Sequence, residues 1–234
     1  MKRHVWRLLG LLAISLLALQ LGFAARIALM AVVDPQSTTF QRSEAWRLMV
    51  EKHRIVWSQQ WVDSERIAAP LKRAVIVSED AGFVGHGGVE WGAVEKAWNR
   101  NQRALARASG SAKVVGGSTI TQQLAKNLLL SGERTVLRKA QELVITLLLE
   151  GLLSKQRVLE IYLNNVEWGE GVFGAQAAAR HYFRVDASRL GAEQAARLAV
   201  MLPAPKRFEK RPASAYVVGR AATIVARMGA VVLP

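Results

Sequence analysis

The chain contains no cysteine. That excludes disulfides, thiolate nucleophiles and Cys-based zinc sites; an exported protein can lack cysteine, so the compartment stays open. No acid occurs before Asp34, although Lys2, Arg3, Arg7 and Arg26 do. Sustained alternation of apolar and polar residues is missing, so the fold class reads as mainly α. There is no zinc finger, RNA-binding signature or coiled-coil basic region.

What is present begins with size and charge. The 234 residues suffice for one medium domain plus an anchor, and with 51% apolar residues a sizeable core is possible. Lys and Arg number 32 against 18 acids, a net charge of +14. Removing the four bases of the first 33 residues leaves 28 against 18, or +10, on the remainder. Such an excess favours polyanions: nucleic acid, anionic lipid or phosphorylated substrates.

Leu8 to Ala25 carries no charge and is rich in Leu. As a helix it spans roughly 27 Å, close to the hydrocarbon thickness of a bilayer. Arg26 fits the outer interface, and the basic flank before the run predicts a cytoplasmic N-terminus and an exported remainder. A cleaved signal peptide is the alternative; the apolar region is long for one and the small-residue cleavage pattern is not clean. An exported basic domain meets anionic headgroups and lipid-linked diphosphates rather than chromosomal DNA. The expected organisation is a cytoplasmic tip and transmembrane anchor over 1–33, a connector with a membrane-proximal helix over 34–70, and the main domain over 71–234. Phe40 to Trp61 reads as an irregular amphipathic helix. Its Trp46, Trp57 and Trp61 suit a membrane interface or ordinary packing equally.

The stretch from Arg73 to Trp91 organises the rest. An apolar run, Ala74 to Val77, delivers adjacent acids Glu79 and Asp80, followed by Phe83, His86 and several glycines. Burial raises a carboxyl pKa, which suits a general acid or base; an exposed helix end is the plain alternative. Trp91 to Ala108 reads as a basic helix, and Ser109 to Gly117 as a mobile flap. Ser118 or Thr119 then caps a helix, with Gln122 placed for a capping box. Its free N–H groups suit an anion, Gln123 lies within its first turns, and Gln122 and Lys126 share a face. An ordinary capped helix has the same pattern. Arg134, Arg138 and Glu142 recur every four residues. Val144 to Leu149, apolar nearly all round, predicts a buried core helix. Glu142 is then a second carboxylate in low-dielectric surroundings, or simply the neutraliser of Arg138 or Lys139. Helices are also expected over Lys155–Asn164, Ala175–Phe183, Glu193–Leu202 and Tyr216–Met228.

Taken together, these residues resemble the bacterial peptidoglycan glycosyltransferases of glycosyltransferase family 51. The motif Glu-Asp-x-x-Phe-x-x-His-x-Gly matches Glu79, Asp80, Phe83, His86 and Gly88. Gly-x-Ser-Thr-x-Thr-Gln-Gln with a following Lys-Asn matches Gly116, Ser118, Thr119, Thr121, Gln122, Gln123, Lys126 and Asn127. Arg-Lys-x-x-Glu matches Arg138, Lys139 and Glu142. Lys-x-x-Ile-Leu-Glu-x-Tyr-Leu-Asn matches Lys155 to Asn164, with Val158 for Ile. Ala-Ala-x-x-Tyr-Phe matches Ala178 to Phe183. Ala81 and Gly82 are small where the family often has larger polar residues.

The resemblance, over about residues 40 to 230, implies a lysozyme-like helical domain with a membrane-hugging small lobe behind one transmembrane helix. No Ser-x-x-Lys or Lys-Thr-Gly pair stands where a transpeptidase would need it, which implies the monofunctional branch. It implies polymerisation of lipid II at the inner membrane, by transfer of a polyprenyl-diphosphate-linked glycan to the 4-hydroxyl of lipid II. Glu79 is the implied base, with Glu142 as second catalytic carboxylate or orienter of cations. Lys126 and Arg134 are implied for the leaving diphosphate, and Ser118, Thr119, Gln122, Gln123, Arg138 and Lys139 for other substrate contacts. Mg²⁺ or Mn²⁺ is the implied assisting ion, with no ligand set legible, and no organic cofactor is implied. The implied partners are lipid II, the lipid-linked strand, the bilayer and other cell-wall synthesis and division proteins, but no nucleic acid. A glycan-cutting hydrolase of similar fold and a non-enzymatic lipid-binding scaffold are the rival classes.

Overall fold

The computed structural model describes residues 2–92, 95, 102, 117–133 and 135–234. Most of the helix expected over Trp91–Ala108, residues 109–116 of the expected flap, and Arg134 lie outside the described residues.

Helix α1 (Lys2–Leu29) is longer than the uncharged run within it, because Arg26 continues the helix. Its candidate span is Arg3–Leu29, with mean hydropathy 2.2. The large apolar side chains from Leu8 to Leu21 are exposed, whereas Ile27 and Met30 at its foot are buried in the core. Helix α2 (Thr39–Lys52) starts at a capping box between Thr38 and Gln41 and stops at His53, which is left-handed at φ 51°. It therefore ends well before Trp61. The rest of that stretch holds strand β1 (Ser58–Gln59).

Helix α3 (Ala69–Glu79) has Pro70 in its first turn, where a missing N–H costs nothing. Its face of Leu71, Ala74 and Val75 is fully buried. Helices α4 (Ile120–Leu129), α5 (Val136–Leu152) and α6 (Lys155–Asn165) follow, each capped by a hydroxyl: Thr119, Thr135 and Ser154. Strands β2 (Glu167–Gly169) and β3 (Val172–Phe173) lead to α7 (Ala175–Phe183), α8 (Ala192–Met201), the short α9 (Pro205–Phe208) and α10 (Ala215–Met228). Strand β3 is central, parallel to β1 with Ser58 opposite Val172 and antiparallel to β2.

Helix α3 packs on α8 and α10, and α4 on α5, α6 and α2. The alanines of α8 (Ala195, Ala196, Ala199) are fully buried, and their small side chains let its neighbours approach closely. The buried surroundings expected for Val144–Leu149 are only half right. Ile145, Thr146 and Leu149 are fully buried, but Leu147 is 55% and Val144 39% exposed. Helices α4, α6 and α1 all contact α5, yet Val144 and Leu147 stay exposed.

Candidate active site

Glu79 is the last residue of α3, and Asp80 breaks the helix with φ −161° and ψ 72°. The two acids part there. Asp80 turns inward, 4% exposed. Its Oδ2 accepts the Ile120 N–H at 3.1 Å and its Oδ1 faces His86 Nε2 at 2.8 Å. Gly88 N–H donates to His86 Nδ1, so Nε2 carries the imidazole proton and donates to Asp80. Asp80 thus satisfies an end of α4 that would otherwise be orphaned. Phe83 is fully buried under the Lys155 ammonium, 4.5 Å from its ring centre.

Glu79 is half-buried at the lip. Its Oε2 accepts from Gln123 Nε2 at 2.9 Å and its Oε1 from Ser78 Oγ at 3.4 Å. Burial pushes its pKa above the ordinary carboxyl value and the Asp80 charge adds to this, against the hydrogen bonds from Gln123 and Ser78. With Ser118, Thr119 and Glu90 it lines a cavity of about 220 Å³.

Thr119 and Gln122 close the expected capping box: Gln122 N–H donates to Thr119 Oγ1 (3.2 Å) and Thr119 N–H to Gln122 Oε1 (3.1 Å). Thr119 Oγ1 also donates to Gly88 O at 2.6 Å. These two residues shape the helix terminus, whereas Ser118 is exposed at the cavity.

A larger cavity, about 350 Å³, is lined by Gln123, Lys126 and Asn127 of α4, Arg138 of α5, Ser43 of α2 and Glu167 of β2. Gln123 therefore belongs to both places: it lines the larger cavity while its amide holds Glu79 at the smaller. Arg138 Nη1 donates to Glu142 Oε2 at 2.9 Å, and Lys139 Nζ donates to the other carboxylate oxygen. Glu142 is 3% exposed and neither cavity reaches it. Its carboxylate pairs with both Arg138 and Lys139. Arg138 Nε is buried with no hydrogen-bond partner among the described residues.

Sequence reasoning missed two residues here. Tyr162 donates from its hydroxyl to Gln123 Oε1 at 2.9 Å, but it sits on the apolar face of α6 and reads as core. Glu167 lines the larger cavity, and its Oε1 lacks a hydrogen bond among the described residues; nothing local distinguishes it. No cluster of three or more acids or histidines able to hold a metal exists among the described residues. Both oxygens of Asp80 and of Glu142 are engaged by protein donors.

The site thus sets an ionisable carboxyl beside a cavity whose charged lining is Lys126, Arg138, Glu133 and Glu167, so that a base and two cations capable of meeting an anion lie close together. The family described as "Transglycosylase" matches residues 49–229. A "Biosynthetic peptidoglycan transglycosylase" of Burkholderia pseudomallei is 53% identical over 225 residues, covering 96% of this chain and 86% of that protein. One of Paraburkholderia xenovorans is 50% identical over 233 residues, covering 99% and 94%. One of Burkholderia multivorans is 52% identical over 222 residues, covering 95% and 88%. The helical architecture is that of the lysozyme-like class, and with these matches over nearly its whole length the chain belongs to the transglycosylase family.

Proposed function

We propose that this chain is a peptidoglycan glycosyltransferase that polymerises lipid II into linear glycan strands, with Glu79 as its base. The observation that carries the residue roles is the Gln123 amide, which ties the half-buried Glu79 to a cavity lined by Lys126 and Arg138. Ionised Glu79 takes the proton of the lipid II 4-hydroxyl. The freed oxygen pair attacks the anomeric carbon of the lipid-linked strand from the face opposite the diphosphate. The bond to the diphosphate breaks with its electron pair leaving on phosphate oxygen, so the linkage inverts from α to β. An alcohol is a weak nucleophile at neutral pH, so a base in contact matters.

Charge grows on the leaving diphosphate, and Lys126 and Arg138, which line the larger cavity, stabilise it in this reading, with Arg134 proposed on the motif match alone. Opposite charges 4 Å apart interact by about 1 kcal/mol in water and about 4 kcal/mol at an effective dielectric near 20. A part-closed cavity therefore multiplies their effect. Glu142 positions Arg138 and Lys139, and Ser118 and Gln123 contact phosphate or sugar. Mg²⁺ or Mn²⁺ would assist by holding diphosphate oxygens, since no cluster of protein ligands able to hold the ion by itself exists among the described residues.

The basic N-terminal flank supports a cytoplasmic N-terminus, with α1 crossing the inner membrane once and the catalytic part on its outer side. The bilayer, lipid II and the lipid-linked strand are its partners in this reading, together with other wall-synthesis and division proteins. Cations beside the base favour synthesis over glycan cutting, because hydrolysis of a neutral glycosidic bond needs no anion clamp.

Purified Glu79→Gln protein, given lipid II, should keep its fold and lose about 10²- to 10⁴-fold in rate. Strand formation near the wild-type rate would remove Glu79 from the mechanism, and release of soluble fragments from purified cell wall would favour the hydrolase.

A further inference from the structure

We propose that Tyr162 is a positioning residue for the base: its hydroxyl fixes the Gln123 amide so that the NH₂ end, and not the carbonyl end, faces Glu79. The proposal rests on Glu79 being the base. Tyr162 is buried on α6, 1% exposed, in the core beneath α4. Its hydroxyl donates to Gln123 Oε1 at 2.9 Å, and Gln123 Nε2 donates to Glu79 Oε2 at 2.9 Å.

The order of donors follows from chemistry. An ionised carboxylate offers only acceptors, so the amide must turn Nε2 toward Glu79. Its carbonyl then needs a donor on the other side, and the Tyr162 O–H supplies one. Burial and the charges of Glu79 and Asp80 hold the phenol well above its usual pKa, so it keeps its proton across the working pH range. Without that hydroxyl, the buried Gln123 carbonyl loses its donor, and only the Glu79 carboxylate still holds the amide in this orientation. A rotated amide would aim a carbonyl oxygen at the carboxylate and disfavour its ionised form.

Asp80 is adjacent to Glu79 and bound by His86 and the Ile120 N–H, and Glu90 lies across the smaller cavity. Neither touches the Gln123 amide, and neither changes when the Tyr162 hydroxyl is removed.

Full-length protein is assayed with lipid II in detergent across pH, as wild type, Tyr162→Phe, Gln123→Met, the double variant and Glu79→Gln. Tyr162→Phe keeps the buried ring. It should lower kcat about tenfold with little change in KM, and move the acid limb of kcat up by roughly 0.5 to 1 pH unit, since one charge-assisted hydrogen bond is lost or weakened. Gln123→Met should move the limb in the same direction. Adding Tyr162→Phe to it should then change nothing further, because a group that acts through another is silent once that other is gone. An unmoved acid limb in Tyr162→Phe overturns the proposal, as does an equal loss with and without Gln123. If Tyr162→Phe does not fold, an unmoved limb in Gln123→Met overturns it on its own. Wild-type turnover by Glu79→Gln would instead strike the base assignment, a separate failure.

Discussion

Glu79 and Glu167 are both glutamates whose carboxyl pKa burial lifts, yet they differ in what surrounds them. Glu79 is met by neutral donors, Gln123 and Ser78. Glu167, 7% exposed, has its Oε1 3.5 Å from Lys206 Nζ, an ion-pair distance rather than a hydrogen bond. Lys206 sits closer to Glu44 at 2.5 Å. Burial, with the Glu44 and Glu209 charges, pushes Glu167 up to about 7 against the pull of Lys206. The folded pKa lies above the unfolded one, so the native state holds the extra proton between about pH 4.5 and 7. Its contribution is fully present below 4.5 and lost as pH rises through 7. Glu167→Gln should therefore gain stability relative to wild type between pH 5 and pH 8, at most on the order of 3 kcal/mol. Urea midpoints of both proteins at the two pH values measure this, and equal differences at both would mean that Glu167 titrates normally. None of it was legible in sequence, because Glu44, Glu167 and Lys206 come from three distant segments. The Glu79–Asp80 pair was legible as a pair. Which acid turns inward was not, since that depends on Ile120, 40 residues away.

At the scale of elements, the site depends on how the loop after α3 meets the N-terminus of α4. Asp80 receives the Ile120 N–H, Thr119 donates to Gly88 O, and the capping box closes the first turn. The capping box was readable from Thr119 and Gln122 because it is local. The loop contacts were not, because they bridge segments that sequence spacing does not relate. Likewise, β1, β2 and β3 are two or three residues long, too short to carry a period of two. Thr121 Oγ1 donates to Glu150, which also pairs with Lys155. Several residues of the recognised motifs therefore hold the frame and touch neither cavity. Gly88 makes this testable. It adopts φ +85°, and a Cβ there would lie 2.7 Å from Glu150 Cγ and 2.8 Å from Thr146 Cγ2. Gly88→Ala adds left-handed strain to a steric clash, a destabilisation of about 1 to 3 kcal/mol. It should lower the denaturation midpoint and, by shifting Thr119 and the α4 terminus, lower turnover as well. A midpoint within error of wild type would mean the loop is free to move aside.

For the whole molecule, the question is how rigidly the anchor is joined to the catalytic part. The hydrophobic run and its basic flank announced an anchor, but not that it docks. Gln20 of α1 and Gln141 of α5 exchange two hydrogen bonds, 2.8 and 2.9 Å. Below them Ile27 and Met30 enter the core. Arg157 then clamps the exit by donating to Met30 O and to the Asp34 carboxylate. Gln20 lies six residues before Arg26, about 9 Å along the helix axis. With Arg26 at the interface, the amide pair lies within the apolar layer, where an unpaired amide is costly. Replacing one glutamine leaves its partner unsatisfied, whereas replacing both removes the need. Gln20→Leu and Gln141→Leu should each weaken the folded protein in detergent by about 1 kcal/mol. The double variant should recover much of the loss, because two apolar groups can replace a hydrogen-bonded pair at little cost. Thermal unfolding of the four proteins completes the cycle. Strictly additive losses would show that the two amides do not meet, and that α1 is joined to the domain only through its foot.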